Sequence, residues 1–227
     1  MTPKILHYVT REALAEGLAV QLAARMRALI DERGRARIAV PGGTTPGPML
    51  ERLGAAHLDW EKVVVTLSDE RWVPDDSPRS NARLLKETLL NGPAAEARFE
   101  PLYGGTPEPE DGLAEVGERL LASVLPLDIA VLGMGADMHT ASLFPGAIGL
   151  EAALAPDAPP ILAIRAKDQP EARVTLSARV LRGAGERHIL IAGKEKMAAL
   201  QEALAVGDPL VAPVSAVLEG ATVHYAE

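Results

Sequence analysis

The stretch Val131-Leu132-Gly133-Met134-Gly135-Ala136-Asp137-Met138-His139-Thr140-Ala141-Ser142-Leu143-Phe144-Pro145-Gly146 decides how the chain is read. An apolar strand, Leu127 to Leu132, runs into glycines and hands on directly to an acid and a base. Parallel sheets present chemistry in this way at the carboxyl ends of their strands, and the pattern recurs. Arg37 to Pro41 reads as a strand ending in Gly42-Gly43-Thr44-Thr45, before a short helix from Pro46 to Leu53. Lys62 to Leu67 is a continuous apolar run of the kind buried on both faces of a sheet, and the polar Ser68 to Trp72 follows it. His188 to Ala192 is a strand that meets Gly193 and a helix through Ala205.

Outward from these, Ile5 to Val9 reads as a strand, and Thr10 caps a helix whose Leu14, Leu18, Leu22, Met26 and Leu29 recur at helical spacing. Ser80 caps a helix through Leu90, and another runs from about Gly112 to Leu125. Ile161 to Arg165, Arg173 to Ser177 and Ala221 to Tyr225 are further strands, with a short helix from Val214 to Leu218. The alternation predicts an α/β fold, a doubly wound, mostly parallel sheet with helices on both faces, in a single domain over residues 1–227. In such a sheet the polar clusters Gly42 to Thr45, Asp69 to Arg71, Gly133 to His139 and Gly193 to Lys196 converge on one crevice.

The 227 residues, 48% hydrophobic, suffice for a sizeable core near the upper size of one domain. A net charge of −8 argues against a nucleic-acid surface, which needs clustered Lys and Arg, and favours a small substrate. Without cysteine there is no disulfide or thiolate metal site, which fits a reducing compartment. The start, Met1 to His7, has no charged-then-apolar leader and no apolar span of membrane length occurs, so the expected location is cytoplasmic, away from any membrane.

Gly42, Gly43 and Thr44 suit a phosphate, because a glycine loop entering a helix lets backbone N–H groups approach an anion. The spacing is neither that of a P-loop nor a complete dinucleotide fingerprint, and an isolated Gly-Gly pair is as readily a tight turn. Asp69 and Arg71 stand in what would otherwise be a solvated loop, with Arg71 able to clamp substrate oxygens and Asp69 to bond sugar hydroxyls. Asp137 and His139 are two residues apart, so either one orients the other or both face one reacting carbon. His139 is the natural general base at neutral pH. His7, His57, His188 and His224 read as structural. No His-x2–4-His or cysteine pair occurs, and no metal site is expected. Arg165, Arg173, Lys194 and Lys196 supply cations in the second half.

Gly42-Gly43-Thr44-Thr45-Pro46, Ser68-Asp69-Glu70-Arg71-Trp72-Val73-Pro74 with Ser80-Asn81, and Gly133 to Gly146 resemble the signatures of the 6-phosphogluconolactonase family. Pro170, Arg173-Val174-Thr175-Leu176-Ser177 and Gly193-Lys194-Glu195-Lys196 fit the same pattern, so the resemblance spans nearly the whole chain. It implies a Rossmann-like sugar-phosphate isomerase fold and hydrolysis of 6-phospho-D-glucono-1,5-lactone without a cofactor. The implied partner is that small sugar-phosphate lactone. By position, His139 is then the base that activates water, with Asp137 beside it. Arg71 binds substrate near the reacting carbonyl or the phosphate, and Gly43 and Thr44 cradle the phosphate with Arg173 and Lys196. Lys196 is preferred to Lys194 because the family spaces its lysine three residues after the glycine. The family has glycine where this chain has Met138, and a positive φ there costs methionine about 1 kcal/mol or more.

The nearest rival is a sugar-phosphate isomerase or deaminase of the same fold, in which the equivalent histidine opens a sugar ring and a glutamate lies five residues further on. That position is Phe144, which disfavours ring opening. A non-enzymatic sugar-phosphate sensor of a transcription regulator needs a DNA-reading module, which this acidic chain does not offer. A dinucleotide dehydrogenase is rejected because Met138 replaces the third glycine and Asp137 sits where a pyrophosphate needs room.

Overall fold

The computed structural model describes residues 2–167 and 169–227. After β1 (Lys4–His7), Thr10 is extended and its hydroxyl accepts from the Ala13 N–H at 3.1 Å, which caps α1 (Arg11–Arg33). Leu14, Leu18, Leu22, Met26 and Leu29 are all buried, as their spacing requires, and Gly34 closes the helix in the left-handed conformation. The chain continues through β2 (Ala36–Val40), α2 (Gly47–Gly54), β3 (Val63–Leu67), β4 (Asp69–Arg71), α3 (Asn81–Thr88), β5 (Arg98–Glu100), α4 (Pro109–Ser123) and β6 (Ile129–Gly133). Then come α5 (Leu150–Leu154), β7 (Ile161–Ile164), β8 (Arg173–Leu176), α6 (Ala178–Arg182), β9 (Glu186–Ala192), α7 (Lys194–Val206), α8 (Ser215–Leu218) and β10 (Thr222–Ala226).

Seven described strands form one sheet in the order β1-β10-β9-β6-β2-β3-β5, with every neighbouring pair parallel. Consecutive residues Ile38 and Ala39 point to opposite faces and are both 0% exposed, so both faces are covered. Strand order reverses between β2 and β6, each of which continues away from the other to its own side of the sheet. That is the point where the carboxyl ends of neighbouring strands open a crevice. The Gly42 loop leaves β2 there and the His139 loop leaves β6.

Two features depart from the expectation. The polar turn expected at Asp69 to Arg71 is a strand, β4, with Asp69 and Glu70 buried, and Arg98 to Glu100 forms a strand the sequence did not announce. The strands read at 161–165 and 173–177 lie outside the parallel sheet. They form a small antiparallel sheet in the order β4-β8-β7. Its register sets Asp69 opposite Thr175 and Arg71 opposite Arg173.

Candidate active site

One crevice of about 330 Å³ at the carboxyl ends of the parallel strands is lined by Gly42, Gly43, Thr44, Asp69, Arg71, His139, Arg173 and Lys196, together with Asn81, Phe144 and Gln169. All four predicted polar clusters therefore meet. Asp137 does not line the crevice; it stands behind His139. Lys194 turns away, with its ammonium 3.6 Å from the Glu227 carboxylate. Among the described residues no group of three or more His, Cys, Asp or Glu is gathered closely enough to hold a metal ion.

Asp137 Oδ1 lies 2.5 Å from His139 Nδ1 and accepts the His139 backbone N–H at 3.3 Å. The hydrogen bond from His139 holds the Asp137 carboxyl below the usual carboxylate range, against the opposing effect of partial burial. An ionised Asp137 only accepts, so the neutral imidazole is the tautomer with its proton on Nδ1 and its lone pair on Nε2. The loop curls tightly to make this contact. A Cβ on Gly135 would fall 2.2 Å from His139 Nδ1 and 2.3 Å from Asp137 Oδ1, so only glycine fits. Met138 sits at φ 66°, the left-handed conformation that a glycine adopts without cost and a methionine does not.

The opposite wall is cationic. Arg71 and Arg173 are cross-strand neighbours, and like charges so placed repel. Burial first, and then the charge of Arg71, press the Arg173 pKa down. Arg173 is braced by Gln169, by Asp69 at 3.9 Å and by the face of Phe144, whose ring centre is 5.8 Å from the guanidinium carbon. Arg71 donates to the Arg79 carbonyl at 2.5 Å. The Nε atoms of both arginines are buried without a hydrogen-bond partner among the described residues. An anion between the two relieves their repulsion. Beside them the N-terminus of α2 has no side-chain cap, and the N–H groups of Gly43, Thr44 and Thr45 donate to no described residue. Free N–H groups at a helix start attract phosphate.

Asp69 was expected to bond sugar hydroxyls. Its carboxylate is 7% exposed as a residue and already accepts the hydroxyls of Ser68 at 3.0 Å and Ser142 at 2.5 Å. Its geometry suits it to tie the loop that carries His139 to the strand that carries Arg71. Glu70, 0% exposed, accepts the backbone N–H groups of Arg71, Asn81 and Ala82, each at 2.7 Å, and the Ser80 hydroxyl at 3.1 Å. Burial pushes its carboxyl up while the three N–H bonds pull it down. Glu70, Asn81, Phe144 and Gln169 were not singled out as site residues. Asn81 and Phe144 lie inside motifs that the resemblance marked, whereas Gln169 had no signal in the sequence.

The fold and the crevice define a class: an α/β protein that presents an Asp-His pair, a glycine loop and paired arginines in one crevice at a switch point of its sheet. The family described as glucosamine-6-phosphate isomerases/6-phosphogluconolactonase matches residues 9–225, and the chain belongs to it. A 6-phosphogluconolactonase of Rhizobium meliloti (strain 1021) is 44% identical over 92% of this chain and 90% of the relative. One of Pseudomonas aeruginosa is 42% identical over 93% and 90%. The crystal structure of a 6-phosphogluconolactonase from Shewanella baltica OS155 superposes with a TM-score of 0.95 at 33% identity, covering 99% of this chain and 98% of that one.

Proposed function

We propose that the chain is a cytoplasmic lactonase that hydrolyses 6-phospho-D-glucono-1,5-lactone to 6-phospho-D-gluconate, the second step of the oxidative pentose phosphate pathway. The observation that carries this is the free Nε2 of His139, oriented by Asp137, facing a wall of loop N–H groups and cations across one crevice. The substrate phosphate lies on the Gly42 to Thr45 loop with Lys196 and Arg173. That anchor places the lactone carbonyl near His139.

His139 Nε2 takes a proton from water as the water oxygen bonds to the carbonyl carbon. Arg71 and backbone N–H groups stabilise the oxyanion that forms. When the tetrahedral intermediate collapses, the bond from carbon to ring oxygen breaks. The imidazolium then returns its proton to that oxygen, leaving an open-chain acid. The sequence as drawn requires no cofactor and no metal. Phe144 stands where ring-opening isomerases of the family place a carboxylate, so the histidine is set for water activation.

The test follows lactone disappearance against the spontaneous rate for the wild type and for His139→Ala, with glucosamine 6-phosphate in parallel. The wild type accelerates lactone loss and leaves glucosamine 6-phosphate unchanged, and His139→Ala loses at least about 100-fold. A wild type no faster than buffer overturns the function, and an unimpaired His139→Ala overturns the role of His139.

A further inference from the structure

Asn81 opens α3 and is 3% exposed, yet it is a carboxamide lodged between two walls of the crevice. Its Nδ2 donates to the Asp69 carbonyl at 3.0 Å, which fixes which way the amide points. Its Oδ1 faces Gly42 so closely that a Cβ there would lie 2.1 Å away, and this oxygen accepts no hydrogen bond among the described residues. A residue serving the fold alone would avoid an unsatisfied buried acceptor, because an apolar side chain removes that cost. The backbone of Asn81 is itself held, since Glu70 Oε1 takes its N–H and that of Arg71, both at 2.7 Å. One buried carboxylate thereby fixes Arg71 on β4 and Asn81 on α3, and Asn81 carries that constraint across to the end of β2.

We propose that Asn81 is a positioning residue: its carboxamide, held by the Asp69 carbonyl on a backbone that Glu70 fixes, is the stop on which the Gly42 to Thr45 loop seats, setting the height from which the loop's N–H groups meet phosphate. This rests on the phosphate-binding role given to that loop above. The loop and Arg71 then keep a fixed spacing, because both take their position from Glu70. Gly42 and Asn81 act as a pair, since any side chain at 42 has to displace the carboxamide.

The experiment compares wild type, Asn81→Ala, Gly42→Ala and the double variant. It reads KM and kcat with the lactone, the Kd of inorganic phosphate by calorimetry, and the Tm. Asn81→Ala weakens phosphate binding and raises KM roughly tenfold, with kcat within about threefold of wild type. Gly42→Ala is worse on the same measures. The double variant binds phosphate better than Gly42→Ala alone, because the new methyl occupies the space the carboxamide has left. An Asn81→Ala with unchanged KM and phosphate Kd overturns the proposal, and so does a double variant whose loss is the product of the single losses. Should Gly42→Ala fail to fold, recovery of the fold in the double variant supports the coupling and failure of both overturns it. A wild type that binds phosphate but does not accelerate lactone loss overturns the lactonase function alone, and the phosphate Kd values still decide the role of Asn81.

Discussion

Phe144 lies against the imidazole of His139, with ring centres 4.5 Å apart and the planes inclined by 42°. The same ring supports the Arg173 guanidinium, so one 8% exposed side chain braces both the proposed base and a cation of the facing wall. A flat apolar surface limits how the imidazole can turn about its bond to Asp137, which keeps Nε2 aimed into the crevice.

Shortening that surface should act on orientation more than on binding. Phe144→Leu is expected to lower kcat about tenfold and leave KM within about threefold. Phe144→Glu adds a carboxylate within reach of Arg173 and draws that cation from the anion site, so KM rises as well. Steady-state kinetics on both variants checks this, and a Leu variant altered only in KM would contradict it.

Met138 should invert the usual ranking of alanine and glycine. At φ 66° an alanine keeps the left-handed strain and loses the methionine's packing, whereas glycine loses the packing and is relieved of the strain. Met138→Gly is expected to be more stable than Met138→Ala by about 1 kcal/mol, read from urea unfolding. An alanine variant equal to or more stable than the glycine variant would mean that the loop relaxes out of the positive φ.

The parallel sheet, the Thr10 cap and the meeting of four clusters were legible because each follows from local pattern: apolar runs, a capping hydroxyl, glycines after strands. The strand at Asp69 to Arg71 was not. Two acids and an arginine read as solvated, and the two acids are held in the interior by partners beyond the strand itself. Ser142 bonds Asp69, the start of α3 bonds Glu70, and β8 pairs with all three. Periodicity says that 173–177 is extended, but which sheet it joins is decided by those contacts. The partners of Asp69 were hidden for the same reason, since an acid beside a site looks free until the hydroxyls it accepts, here those of Ser68 and Ser142, are known.

Away from the site, His224 and His188 form a buried pair, Nε2 to Nδ1 at 3.0 Å, with the Tyr8 hydroxyl on His224 Nδ1 at 2.9 Å and Glu186 3.6 Å from His188 Nε2. Burial, and then the neighbouring His188, brings His224 down to about 3, and burial lowers His188 too, against the pull of Glu186. The folded value lies below the unfolded value of about 6.5, so the fold favours the neutral ring. Its stability is complete above about pH 6.5 and is lost as pH falls toward about 3, at up to about 1.4 kcal/mol per pH unit for one histidine. His224→Leu should be less stable than wild type at about pH 7.5 and should lose less on going to about pH 5. Urea unfolding across that range measures both, and parallel curves would refute the linkage.

Lys196 and Lys194 differ by two positions on the first turn of α7 and should differ completely in effect. Lys196 lines the crevice, whereas Lys194 is 81% exposed beside the Glu227 carboxylate. A cation that meets the substrate phosphate contributes to binding before and during the reaction alike, so its loss appears in KM. Lys196→Ala is expected to raise KM for the lactone and the Kd of inorganic phosphate by roughly tenfold or more, with kcat little changed. Lys194→Ala should leave both within about twofold of wild type, because an exposed ion pair of this kind contributes little. Raising the salt concentration should weaken phosphate binding in wild type more than in Lys196→Ala, since the variant has one cation fewer for salt to screen. Equal losses in the two variants would mean that the helix start contributes a general field and not one directed contact.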